Sequence, residues 1–215
     1  MSEDKTLPQT ALANDNVLRL VKYQDRRQSL HINNAIFTVL KDGTLKDDAA
    51  RSRFLASLHQ WASSYQRMLF LRQGFALGAR WQALFLKHLK EELGHDQVLA
   101  REHNIVHASN DPTLEALAGW FLYRTIVSDD LEKLVVMNLV LERSAHLFNT
   151  HAQACFASAY FSIHVSADEE HQNLGLSELK HIDDDTLDRL LRISGRAWDI
   201  LELLLERIAQ IVVRR

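Results

Sequence analysis

Cysteine is nearly absent from this chain. Cys155 stands alone, which excludes a disulfide framework and a thiolate cage for zinc. Proline occurs twice and glycine seven times, so most of the turn punctuation that a sheet protein needs is missing. No apolar run approaches the roughly 18 residues of a membrane span. Arg and Lys are scattered, and a formal charge of -3 with an isoelectric point near 6.4 leaves no electrostatic footprint for nucleic acid or an acidic membrane. Residues Met1 to Asn16 are polar and lack the basic start and apolar stretch of a secretory leader. The expected location is therefore the cytoplasm.

What is present is an ordinary globular balance, 47 % apolar and 25 % charged over 215 residues. That balance suits one helical domain over 12–215 behind a mobile segment at 1–11. Apolar residues recur at three- and four-residue spacing, which predicts an all-α bundle of about seven helices. The first covers about Leu12 to Leu40. The second opens on Lys46-Asp47-Asp48 and runs to about Gly78, carrying Phe54, Leu55, Leu58, Trp61, Ala62, Tyr65, Met68 and Leu69 on its stripe. A third covers about Arg80 to His103, and a fourth follows the cap and proline at Asp111-Pro112. Ser128-Asp129-Asp130 starts a fifth reaching His151, and a sixth spans about Ala159 to Leu179. Asp183 opens the last.

Histidine is abundant, 11 in all, and three patterns invite a search for metal ligands. Glu92-Leu-Gly-His95 is an E-x-x-H whose spacing puts both side chains on one helical face. Alone it is weak, because this composition yields roughly 0.6 such pairs by chance. His164-Val-Ser-Ala-Asp168-Glu-Glu-His171 is stronger. Its two imidazoles and carboxylate fall on one helical stripe, and chance yields only about 0.07 such patterns. Glu142 follows the apolar run Val135 to Leu141, so its carboxylate is expected to be buried and to need a partner. The bland alternative is a salt bridge to an arginine across the fold. Together Glu92, His95, Glu142, His164, Asp168 and His171 have the composition expected of a site for two Fe2+ ions with O2 as co-substrate. His88, Glu91, His146 and His151 are candidates for supporting groups behind the ligands. A ferritin-like bundle would need a further carboxylate on the preceding helix, and no acid follows Asp48 there.

On these residues the chain resembles the haem-oxygenase-like diiron oxidases and oxygenases, within the TenA, PQQ-synthase and haem oxygenase fold. His31 to Leu45 (HINNAIFTVLKDGTL) looks like the family's opening segment, and His88 to Asp96 (HLKEELGHD) looks like its E-E-x-G-H segment. Glu142 is similar to its second-helix glutamate, and His164, Asp168 and His171 to its third-helix triad. In some members the first glutamate lies seven residues before the histidine, where this chain has His88. The Glu92/His95 spacing instead matches members such as the 1-alkene-forming fatty-acid decarboxylase, with Glu91 the substitute ligand if the helix is rotated. The resemblance implies an iron-dependent oxidoreductase acting on a small organic molecule.

Phe85, Leu89, Leu139, Phe148, Phe161 and Val165 are candidate pocket walls. A net positive metal site favours an anionic head, as in a fatty acid or an amino-acid derivative. The expected partners are that small molecule and a second copy in a homodimer, with no nucleic acid and no membrane. Three alternatives compete. A haem-degrading oxygenase would use His31 as axial ligand, but no glycine lies between Gly119 and Gly175 to let a distal helix approach the haem. A thiaminase would use Cys155 as nucleophile. A non-catalytic metal-binding or interaction protein would keep the scaffold without turnover.

Overall fold

Short polar side chains start several of the helices by accepting backbone N–H groups that the first turn leaves over. The computed structural model describes residues 15–107, 109–156, 158–165, 176–179 and 181–214. Asn34 caps the helix Ala35–Lys41 through Ile36 N–H, Asp47 caps Asp48–Gly74 through Ala50, Asp129 caps Asp130–Leu134 through Glu132 and Asp183 caps Asp184–Val213 through Thr186. Asp111 caps Pro112–Val127 through Thr113 and Leu114, with Pro112 in the first turn.

The helices are α1 (Asp15–His31), α2 (Ala35–Lys41), α3 (Asp48–Gly74), α4 (Ala79–Glu92), α5 (His95–Glu102), α6 (Pro112–Val127), α7 (Asp130–Leu134), α8 (Glu142–Gln153), α9 (159–165) and α10 (Asp184–Val213). Short 3-10 turns occupy Thr44–Lys46 and Leu176–Leu179. No strand occurs among the described residues, and no described helix is long and apolar enough to cross a membrane.

The long helices α3 and α10 pack against each other and against α6, and α3 also meets α4 and α5. Their stripes supply the core: Phe54, Leu58, Met68 and Leu69 from α3 meet Trp198, Leu201 and Leu205 from α10, all buried. Each such side chain contributes roughly 1.5–3 kcal/mol on burial. Trp198 keeps its polar edge satisfied by donating to Gln24 Oε1 at 2.8 Å, and Gln24 in turn donates to Ser194 at 2.7 Å.

Three stretches expected as continuous helices are broken. The first splits into α1 and α2 at Asn33 and Asn34, whose backbone N–H groups close turns onto Leu30 and His31. The third splits into α4 and α5, with Gly94 at φ 87° between them. The fifth widens into a π-helical segment over Val135–Leu141, all of it buried, and Glu142 N–H reaches back five residues to Met137. π-helical turns of this kind recur at functional sites. Here the wide turn delivers Glu142 to the interior.

Candidate metal centre

Side chains from α3, α4, α5, α8, α9 and α10 converge on one cavity of about 70 Å³, lined among others by Tyr65, Gln66, Glu92, His95, Glu142 and His164. Glu92 closes α4 and is only 1 % exposed. The break at Gly94 turns His95 back over it, so that His95 Nδ1 stands 3.0 Å from Glu92 Oε2. This corrects the sequence reading: the pair meets across a helix break, not along one helical face. His164, from α9, brings Nε2 to 3.5 Å from the same oxygen, and the two imidazoles stack edge to face at 4.8 Å. One ligand atom from each of the three residues lies within 4.8 Å of the others.

The tautomers suit a metal. A carbonyl can only accept, so the 2.7 Å contact between His164 Nδ1 and Tyr160 O fixes the proton on Nδ1 and leaves the Nε2 lone pair toward Glu92. That outer hydrogen bond is how metal-bound histidines are usually oriented. The donor set of one carboxylate and two imidazoles fits a first-row divalent metal, and this trio could hold one ion.

Glu142, 2 % exposed, lines the same cavity. Tyr65 donates its phenol proton to Glu142 Oε1, and His88 Nε2 stands 3.1 Å from that oxygen. Behind His88 lies Arg72, fully buried on α3. It donates to His88 Nδ1 at 2.6 Å and to Asn138 Oδ1 at 2.9 Å, and its guanidinium caps the Phe85 ring at 4.5 Å. Arg72 can only donate, so His88 Nδ1 accepts and Nε2–H faces Glu142. Burial lowers the Arg72 pKa to about 10, against the opposing pull of Tyr65, Glu142 and Glu92, so it is cationic at neutral pH. Burial of the phenol, then Glu142 and Glu92, push Tyr65 well above its ordinary value, and it keeps its proton.

The sequence candidates therefore divide. Glu92, His95, His164 and Glu142 face one cavity, and His88 supports Glu142. Asp168 and His171 lie outside the described residues. Glu91 is exposed, does not line the cavity, and has Lys87 Nζ 3.7 Å away. His146 and His151 do not line the cavity. The α8 residues that do are Glu142, Ser144, Ala145, Phe148 and Asn149, and His146 sits about 100° round from Ala145. His151 instead bonds the Leu147 carbonyl and packs on Phe37. Of the candidate walls Phe148 lines the cavity, whereas Phe85, Leu89, Leu139 and Phe161 are packed into the core.

Tyr65 stands on the stripe expected of its helix, whereas Gln66 and Arg72 were missed by sequence reasoning. Their signal was available: Gln66 follows Ala62 by four residues, and Arg72 follows Met68 by four, so both continue the apolar stripe of α3 as polar residues.

Two competing assignments fail on geometry. His31 is fully buried and both ring nitrogens are engaged, Nδ1 with Glu202 at 2.6 Å and Nε2 with Ser144 at 2.8 Å, so it offers no axial ligand to a haem. The bland expectation for Glu142, an arginine across the fold, has a counterpart in Arg72, which reaches it through His88. Cys155 does not line the cavity. It is exposed, its thiol donates to Leu40 O at 2.8 Å, and burial of the sulfur raises its pKa.

No protein-family model matches the chain. The uncharacterized protein RP592 of Rickettsia prowazekii (strain Madrid E) is 30 % identical over 182 residues, which is 83 % of this chain and 87 % of that protein. Among solved structures, a TenA homologue from Pseudomonas syringae pv. tomato superposes with a TM-score of 0.70 at 12 % identity, covering 98 % of this chain and 100 % of that one. A TenA homologue from Pyrococcus furiosus gives 0.67 at 13 % identity, covering 90 % and 99 %. A domain of unknown function with a haem-oxygenase-like fold, from Shewanella denitrificans, gives 0.64 at 12 % identity, covering 90 % of each chain. The fold is the haem-oxygenase-like one expected from the motifs.

Proposed function

We propose, for a chain that belongs to the same family as RP592 of Rickettsia prowazekii, the role of a non-haem iron oxidase or oxygenase whose iron is held by Glu92, His95 and His164. The observation that carries this reading is the buried Glu92 carboxylate facing two imidazoles on one cavity, with His164 held in the tautomer a metal requires. Glu142, with Asp168 and His171, is proposed to complete a second position, for two Fe2+ ions in all. Iron, when bound, would supply electrons and open positions for O2.

The protein's own residues do the rest. Tyr65 and His88 hold the Glu142 carboxyl group in orientation, with the charge of Arg72 behind His88. Tyr65 also holds a proton at its phenol oxygen on the cavity wall. Leu58, Trp61, Leu141, Phe148, Leu201 and Leu205 give the cavity an apolar wall that excludes water. At about 70 Å³ the cavity is far below the roughly 300 Å³ of a drug-sized site. That supports an amino-acid derivative of a few heavy atoms over a long-chain fatty acid. Among the described residues no Lys or Arg lines the cavity, so an anionic head would be drawn to the metal position.

The test is O2 uptake by the ferrous protein with amino-acid derivatives and with short and long fatty acids. Acceleration by the small acids is expected. Iron binding with no acceleration by any of them would favour the non-catalytic metal-binding reading.

A further inference from the structure

The step from Glu92 to His95 is where ordinary helical hydrogen bonding stops. α4 ends at Glu92, Gly94 takes a left-handed φ of 87°, and α5 begins at His95 with no side-chain cap. A break like this strands backbone groups on both sides, and buried ones need partners. One side chain meets both. Gln66 Nε2 donates to the Glu92 carbonyl at 2.8 Å, and Gly94 N–H donates to Gln66 Oε1 at 3.0 Å.

Gln66 is 8 % exposed and stands on α3, the long helix against which both α4 and α5 pack. A carboxamide offers a donor and an acceptor side by side, which is what these two backbone groups require. A carboxylate of the same shape would set an acceptor against the Glu92 carbonyl and add charge beside the buried Glu92. An apolar side chain would supply neither bond.

We propose that Gln66 is a positioning residue for the metal centre. Its carboxamide splints the Leu93–Gly94 break and so fixes the angle between the two ligands on either side of it. The inference rests on the reading of Glu92, His95 and His164 as metal ligands. Gln66 need not touch the ion. His95 is the first residue of an eight-residue helix hung on a glycine, and the splint holds that helix start at a fixed distance from the end of α4.

The experiment titrates the full-length, metal-free chain anaerobically with Co(II), read by the visible d–d bands, which report ligand number and geometry. Gln66→Met is expected to weaken Co(II) binding about 10- to 100-fold, as loss of an outer hydrogen bond does at other metal sites, and to change the bands. Gln60→Met, which removes a 3.2 Å bond from the same helix to Asp111 O, is expected to lower thermal stability and leave affinity and bands unchanged. If Gln66 acts through His95, the Gln66→Met effect vanishes in a His95→Ala background. Should Gln66→Met fail to fold, Gln66→Glu, of the same size and shape, carries the same expectation. Wild-type binding that Gln66→Met leaves unchanged, or a loss that persists undiminished in the His95→Ala background, overturns this inference alone. A wild-type chain that binds no Co(II) overturns the metal reading and this inference with it.

Discussion

Replacing Arg72 by leucine should be among the most destabilising single changes in the protein. The guanidinium is fully buried and gives hydrogen bonds to His88 Nδ1 and Asn138 Oδ1. Each buried acceptor deprived of its donor costs about 1–3 kcal/mol. The positive charge behind Glu142 is lost as well. Against this, leucine ends the desolvation of a buried cation and adds apolar contact with Phe85. Removal of one partner from a buried charged network nevertheless costs about 3–5 kcal/mol, so urea unfolding of Arg72→Leu should show a loss of that size. In a chain this long the melting temperature should fall by about 10 °C. Arg72→Lys should recover little, because a single ammonium cannot reproduce the fork that reaches two acceptors. Adding Glu142→Gln should restore part of the loss, since it removes the carboxylate that the arginine balances. A loss for Arg72→Leu within about 1 kcal/mol of zero would refute the reasoning.

Two further outcomes test local features. Asp111 takes a fork from Arg207, at 3.1 Å on Oδ1 and 2.6 Å on Oδ2, and this contact first, ahead of the opposing effect of burial, draws its pKa below the ordinary value. Its contribution is present above the unfolded value of about 3.9 and is lost as pH falls through the lower folded one. The stability gap between wild type and Asp111→Asn, which keeps the capping oxygen, should therefore close in acid unfolding curves below about pH 4. Gly94→Ala meets no atom within 4 Å, so its cost is the left-handed backbone alone, about 1–2 kcal/mol in thermal unfolding.

The helix starts were legible because they are local: Asp47, Asp111, Asp129 and Asp183 cap where their sequences say they should. The Glu92/His95 pair was weak alone, but Glu142 was legible as a carboxylate after an apolar run and His164 through a pattern with Asp168 and His171 that is rare by chance. The break at Gly94 was not legible. A three-residue spacing also suits an unbroken helix, and a lone glycine is tolerated within one. The π-helical segment was hidden for a related reason. Val135 to Leu141 is apolar at every position but Asn138, so little periodicity marks the added residue, and packing on all sides selects the wider turn. Gln66 and Arg72 were obscured because their partners lie 26 and 16 residues away or farther, beyond any local pattern. What the stripe of α3 did carry was two polar residues at core positions, and such residues need buried partners.

Anaerobic equilibrium dialysis against Fe2+ tests the central claim most directly, applied to wild type, His164→Ala and His146→Ala. Wild type and His146→Ala should retain iron alike, because His146 does not line the cavity, and His164→Ala should lose it from the Glu92/His95 position. Iron held undiminished by His164→Ala, or none held by wild type, would contradict the account.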